Sequence, residues 1–170
     1  LSNIDKFDTE LFNIAPREAE VMDPLQRLFT QVAFEAVETA GMNMEKLNGS
    51  LTGVYVGMDS TPTAGSFSTM VIRSEELFMN TGIVTSILPS RISYFMNLRG
   101  PSIVFDTACS SSLVALHTAC SDIKNGICDA AIVGGVSLMY FPAARGVLES
   151  PTDSLSTFDK SANGTVWGEG

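Results

Sequence analysis

Three short apolar runs, "LTGVYVGM" (51–58), "SIVFDTA" (102–108) and "DAAIVGGVSLMY" (129–140), are separated along the chain by stretches with helical periodicity. A strand that is apolar on both faces has to be covered on both faces, and this is the habit of parallel sheets. Alternation of such strands with helices of about ten to seventeen residues predicts an α/β layer architecture, a mostly parallel sheet with helices on either side.

The helices have readable ends. In "MDPLQRLFTQVAFEAVETAG" (22–41), Asp23 can cap, Pro24 fits the first helical position and Gln26 has the spacing of a capping box. Leu25, Leu28, Phe29, Val32, Ala36 and Val37 form the predicted core face, and Gly41 is the expected stop. "SILPSRISYFMNLRG" (86–100) reads as a second amphipathic helix, with Leu88, Ile92, Phe95 and Met96 on one side, Pro89 in the first turn, and Gly100-Pro101 ending it. "SSSLVALHTACSDIKNG" (110–126) reads as a third, stopped near Gly126, and residues 60–82 as a long connection with some local helix.

Composition excludes several classes. No stretch approaches the eighteen apolar residues of a membrane span, and a formal net charge of -9 argues against a nucleic-acid surface and does not favour an anionic membrane. Cys109, Cys120 and Cys128 are odd in number and lack any Cys-x-x-Cys spacing. Neither a disulfide framework nor a metal site is indicated, and a reducing cytoplasm is the default expectation. The sequence starts at Leu1 without a methionine or signal peptide and stops in the glycine-rich "TVWGEG", so the expectation is a fragment of a larger protein.

Cys109 falls where the strand "SIVFDTA" turns into the next helix. Backbone N–H groups at a helix start have no intrahelical partner and stabilise a thiolate or an oxyanion. The position is like the nucleophile elbow of hydrolases, although the Gly-x-Ser-x-Gly motif is absent. Position alone leaves two readings open, because an unpaired cysteine also serves as a small buried hydrophobe. Cys120 and Cys128 are expected to be structural. His117 lies about 12 Å of helix rise from Cys109, beyond the reach of a base. Asp106 is read as a structural hydrogen-bonding group, since its charge would oppose a thiolate. Ser110, Ser111 and Ser112 are read as caps for the helix.

Gly134 and Gly135 in "GGVSLM" lack the spacing of a phosphate-binding loop, and close backbone packing is expected there. Arg17 and Arg27 are expected in ion pairs, and Met58, Phe67 and Met139 in the core, with lining a ligand pocket as the other possibility.

The segment "GPSIVFDTACSSSLVALHTAC" (100–120) closely resembles the active-site region of β-ketoacyl synthase (ketosynthase) domains of polyketide synthases. "FDTELFNIAPREAEVMDPLQRLF" resembles the family's amino-terminal signature, "SRISYFMNLRGPS" its helix before the active site, and "FDKSANGTVWGEG" its later glycine-rich motif. Where many relatives carry a glycine-methionine-leucine-serine-proline-aspartate-glycine run, this chain has "GVLESPTDSLSTFD", which puts the substrate subgroup in question.

The resemblance implies a thiolase-like fold, of which residues 1–170 would be the amino-terminal half of an αβαβα arrangement, lacking the first strand and the carboxy-terminal half. It implies that Cys109 accepts an acyl group from the phosphopantetheine of an acyl carrier protein, with its own N–H in the oxyanion hole. A decarboxylative Claisen condensation with a malonyl-type extender would follow. No cofactor or metal is expected on the chain itself, and a homodimer is implied. The family's two downstream histidine motifs do not occur in these residues, so residues 1–170 alone are expected to be poorly stable and inactive in condensation; purification of them as a soluble monomer that makes ketoacyl product would refute this. The alternatives are a fatty-acid-type 3-oxoacyl-carrier-protein synthase and a non-elongating acyl-transfer ketosynthase. Arg17, Arg27, Arg91, Arg99 and Arg145 are the cations available for a carrier-docking patch.

Overall fold

The computed structural model describes residues 3–58, 79–138, 150, 155–166 and 168–170. Its elements are α1 (Pro16–Val21), α2 (Pro24–Thr39), α3 (Met44–Leu47), β1 (Thr52–Met58), α4 (Met79–Ile83), α5 (Ile87–Phe95), β2 (Ser102–Phe105), α6 (Ser111–Lys124) and β3 (Ala130–Val136). The three strands form a parallel sheet in the order β2-β1-β3. Val54 pairs with Ser102 on one side and with Ile132 on the other.

All seven residues of β1 are buried, which is what a central strand covered on both faces requires. Val54, Val56 and Met58 point to one face, where they pack with Leu25 and Phe29 of α2 and Leu88 and Ile92 of α5. Tyr55 points to the other face, against Ala115 and Ala119 of α6 and Cys128. The sheet therefore lies between α2 and α5 on one side and α6 on the other, the expected three-layer arrangement.

Three helices end on the same device. The N–H of Gly41 bonds to the carbonyl of Glu38 and that of Met42 to Val37, Asn97 to Tyr94 and Leu98 to Ser93, and Gly126 to Ile123 and Ile127 to Asp122. Each pair satisfies two carbonyls left open at a helix end, and each needs a left-handed residue, here Gly41 (φ 68°), Asn97 (φ 51°) and Gly126 (φ 69°). Gly41 and Gly126 are the expected stops. The stop of α5 is Asn97 and not Gly100-Pro101, because asparagine tolerates the left-handed region and so ends the helix first.

The start of α2 is part expectation and part correction. Asp23 caps it, its carboxylate accepting from the Leu25 N–H at 2.8 Å, and Pro24 is its first residue. Gln26 does not complete a capping box. It is 1% exposed, and its Nε2 donates to the Val84 carbonyl at 3.2 Å, tying α2 to the segment before α5. The core face is also rotated from the predicted one. Val32 and Ala36 are exposed, whereas Gln26, Thr30 and Ala33 are buried. Thr30 is accommodated because its hydroxyl donates to the Gln26 carbonyl at 2.7 Å.

One buried polar cluster has no counterpart in the expectations. The Tyr55 hydroxyl donates to Asp122 Oδ2 at 2.8 Å and lies 3.5 Å from Cys128 Sγ. Burial first, then the hydrogen bonds to Cys128 and Asp122, push the phenol well above its ordinary value. A phenol whose ionisation is suppressed only in the folded chain leaves stability intact below the unfolded value near pH 10 and erodes it above. Tyr55→Phe is expected to lower stability at pH 7 by about 1–2 kcal/mol, leaving Asp122 without its donor. The same variant should flatten the alkaline fall of about 1.4 kcal/mol per pH unit above pH 10. Urea titrations of both forms between pH 7 and 11 check it, and parallel curves would refute the assignment.

Candidate active site

The carboxyl ends of the strands converge on an open cleft of about 610 Å³. Its walls are Gly57 and Met58 from the end of β1, Gly135 and Val136 with Ser137 from the end of β3, Ala108 and Cys109 from the turn after β2, and Ser111 and Ser112 from the start of α6. Open α/β sheets bind ligands at this end of their strands.

Gly57 and Gly135 let the layers meet there. A Cβ on Gly57 would lie 2.5 Å from the Ser112 nitrogen, and one on Gly135 would lie 3.0 Å from Ser112 Cβ. On the opposite face a Cβ on Gly134 would lie 2.7 Å from the Phe29 ring. The glycines of "GGVSLM" therefore serve close packing, as expected, and Gly135 in addition lines the cleft.

Cys109 is exposed, which removes the reading of it as a small core hydrophobe. It stands two residues before the first residue of α6, with Ala108 held at φ 55° immediately ahead of it. A non-glycine residue in the left-handed region costs free energy, and such strain gathers at functional turns. The turn places Cys109 in the wall of the cleft beside the first turn of α6.

The serines act differently from the caps the sequence suggests. Ser110 occupies the cap position but makes no side-chain capping bond, because its own backbone is already helical (φ -94°, ψ -4°). Its hydroxyl instead donates to the Thr107 carbonyl at 2.8 Å, while Ser111 Oγ accepts from the Thr107 N–H at 2.9 Å and donates to the Ala108 carbonyl at 2.7 Å. The hydroxyls hold the turn, not the helix.

Asp106 is exposed at the end of β2, and His117 is exposed on α6 outside the described lining of the cleft. Cys128 is buried, in keeping with a structural role, but Cys120 is exposed and not interior to the packing. Met58 is both 5% exposed in the main core cluster and a lining residue of the cleft; Phe67 and Met139 lie outside the described residues. Arg91 does not supply an open docking cation: its guanidinium bonds Glu18 at 2.7 Å and the Thr81 carbonyl at 3.2 Å, with a side chain 12% exposed. Arg145 lies outside the described residues.

One wall escaped the sequence reading. Gly168, Glu169 and Gly170 border the cleft, and Gly170 is joined to Ser137 by two backbone hydrogen bonds of 2.7 and 3.0 Å. No side-chain pattern signalled it, because the contact is made by backbone groups and a Cβ on Gly168 or Gly170 would meet nothing within 4 Å.

Comparison with known proteins gives a consistent result. The family model described as the β-ketoacyl synthase, N-terminal domain, matches residues 1–170. The chain is 48% identical to the hybrid PKS-NRPS synthetase apdA of Emericella nidulans over 97% of its own length and 4% of that protein. It is 45% identical to a phenolphthiocerol/phthiocerol polyketide synthase subunit of Mycobacterium tuberculosis, over 100% of its own length and 9% of that protein. Among solved structures, the ketosynthase from module 6 of the bacillaene synthase of Bacillus subtilis superposes with a TM-score of 0.85 at 41% identity, covering 99% of this chain and 29% of that one. The chain thus spans only a small part of the proteins it matches.

Proposed function

The chain belongs to the β-ketoacyl synthase family, and from that membership we propose that it is the Cys109-bearing half of a polyketide synthase ketosynthase. The observation that carries the reading is the exposed thiol at a strained strand-to-helix turn, opening onto a cleft at the carboxyl ends of the sheet.

The Cys109 thiolate attacks the carbonyl of an acyl thioester brought by an acyl carrier protein. The oxyanion that forms is met by the Cys109 N–H, and the carrier thiol leaves with a proton as the acyl group stays on sulfur. In the second half-reaction a malonyl-type extender loses carbon dioxide, and its carbanion equivalent attacks the Cys109 thioester. The new carbon–carbon bond expels the Cys109 thiolate, restoring the nucleophile and lengthening the chain by two carbons. The phosphopantetheine arm belongs to the carrier. An arm of this kind would enter the open cleft that Cys109 lines at the carboxyl ends of the strands.

Residues 1–170 are then one half of a layered domain. The outer face of α6 supports this, because Leu113, Leu116 and Ile123, followed by Ile127, are 69%, 47%, 42% and 48% exposed in one stripe with Cys120. Apolar surface of that extent on a helix is surface another layer covers. A second half packed there would complete the αβαβα order, and the complete domain would pair as a homodimer.

The test uses the full polypeptide that carries these residues, incubated with acyl-loaded and malonyl-loaded carrier protein and followed by mass spectrometry. An acyl adduct on the Cys109 peptide, then a carrier-bound 3-oxoacyl chain two carbons longer, is the expected result. An adduct without elongation identifies the transfer-only alternative. Absence of any adduct overturns the proposal.

A further inference from the structure

Ser110 and Ser111 brace the same turn in unequal surroundings. Ser110 is exposed, and its bond to the Thr107 carbonyl is one that water can replace. Ser111 is 6% exposed, and its single hydroxyl both accepts from the Thr107 N–H and donates to the Ala108 carbonyl. These two groups bracket Thr107 and Ala108 (φ 55°), the latter being the residue whose left-handed backbone turns the chain toward Cys109.

Building on the ketosynthase reading, we propose that Ser111 is the positioning residue of the nucleophile, its buried hydroxyl clamping the strained Ala108 so that the Cys109 sulfur stays at the start of α6. A left-handed alanine persists only where its surroundings over-determine it. Ser111 supplies that constraint from inside the turn. Without the hydroxyl, the Thr107 N–H loses its part-buried partner, and the turn relaxes toward an ordinary conformation. The sulfur then drifts from its place at the start of α6, and its reactions slow. Although Ser111 also borders the cleft, in this role it acts through the backbone.

The test compares Ser111→Ala, Ser111→Thr and Ser110→Ala in the full polypeptide. Three readouts are followed: acylation of Cys109 by an acetyl-pantetheine thioester, alkylation of Cys109 by iodoacetamide as a function of pH, and thermal unfolding. Ser111→Ala is expected to slow both reactions of Cys109 by about tenfold or more across the alkylation profile. Ser111→Thr, which keeps the hydroxyl, should recover the wild-type profile, and Ser110→Ala should react within about twofold of wild type, water replacing its bond.

A Ser111→Ala protein that unfolds at lower temperature yet keeps the native rates and pH profile would show a merely structural residue and overturn the proposal. Should Ser111→Ala fail to fold, hydrogen exchange in the wild type decides. Slow exchange of the Thr107 amide supports the clamp, and exchange as fast as in an open turn overturns it. Iodoacetamide needs no carrier or extender, so a changed alkylation profile in a protein that makes no ketoacyl product would sink the ketosynthase reading while leaving the clamp in place.

Discussion

Replacing Cys109 by alanine in the full polypeptide is expected to abolish acyl loading from carrier-bound thioesters, with condensation falling by about 10³-fold or more. No neighbouring group can take over. Two of the three serine hydroxyls beside it, those of Ser110 and Ser111, are committed to the turn, and alanine offers no nucleophile in place of the thiol. The fold should be untouched, because an exposed side chain is being shortened. Mass spectrometry of the acylated protein checks loading, and thermal melts check the fold. Persistent loading in Cys109→Ala with unchanged melting would place the acyl acceptor elsewhere.

Gly57→Ala is expected to have the second largest effect, and on both properties at once. The added Cβ would meet the Ser112 nitrogen at 2.5 Å and the Ser111 carbonyl carbon and Ser112 Cα at 2.6 Å. All three are main-chain atoms, so no side chain can rotate aside. Either β1 bends or the first turn of α6 lifts off the sheet, at a cost of about 1–3 kcal/mol. Lifting that turn moves the nucleophile, and misplacement by about 1 Å costs on the order of a hundredfold in rate. Acylation rates and melting temperature of the variant check this. A variant with native rate and stability would show that the helix start does not rest on Gly57. Gly135→Ala gives a graded comparison, since the nearest atom to its Cβ would be Ser112 Cβ at 3.0 Å, with the Gly57 carbonyl oxygen at 3.6 Å.

The sequence carried the layer architecture because β1 is apolar at nearly every position and both of its glycines fall on one face. It carried the position of Cys109 because a strand pattern ends and a helix pattern begins within a few residues of it. Other features depend on contacts that periodicity does not contain. Which arc of α2 faces inward is decided by α5 and the segment before it, so Gln26 and Thr30 are buried and Val32 is 49% exposed. The role of the serines depends on the backbone of Ser110, and a helix-start pattern does not distinguish a cap from a brace. The wall formed by residues 168–170 depends on their pairing with Ser137, a contact between distant parts of the chain. The Tyr55–Asp122–Cys128 cluster could have been suspected from a single tyrosine in an otherwise aliphatic strand, though not its partners.

The strand order has a consequence for how the protein is made. In the order β2-β1-β3 none of the described strands pairs with the next through a hairpin, and the central strand waits for β3, whose first residue, Ala130, pairs with Thr52. Chain-distant parallel pairing is slow, because the entropy of closing a long loop is lost before any contact repays it. A ribosome adds on the order of ten residues per second, so Cys109 emerges seconds before the strand that completes the sheet beneath its helix. Through that interval the turn that carries Cys109 rests on an unfinished sheet, and only when β3 has paired does Gly135 come to support the start of α6.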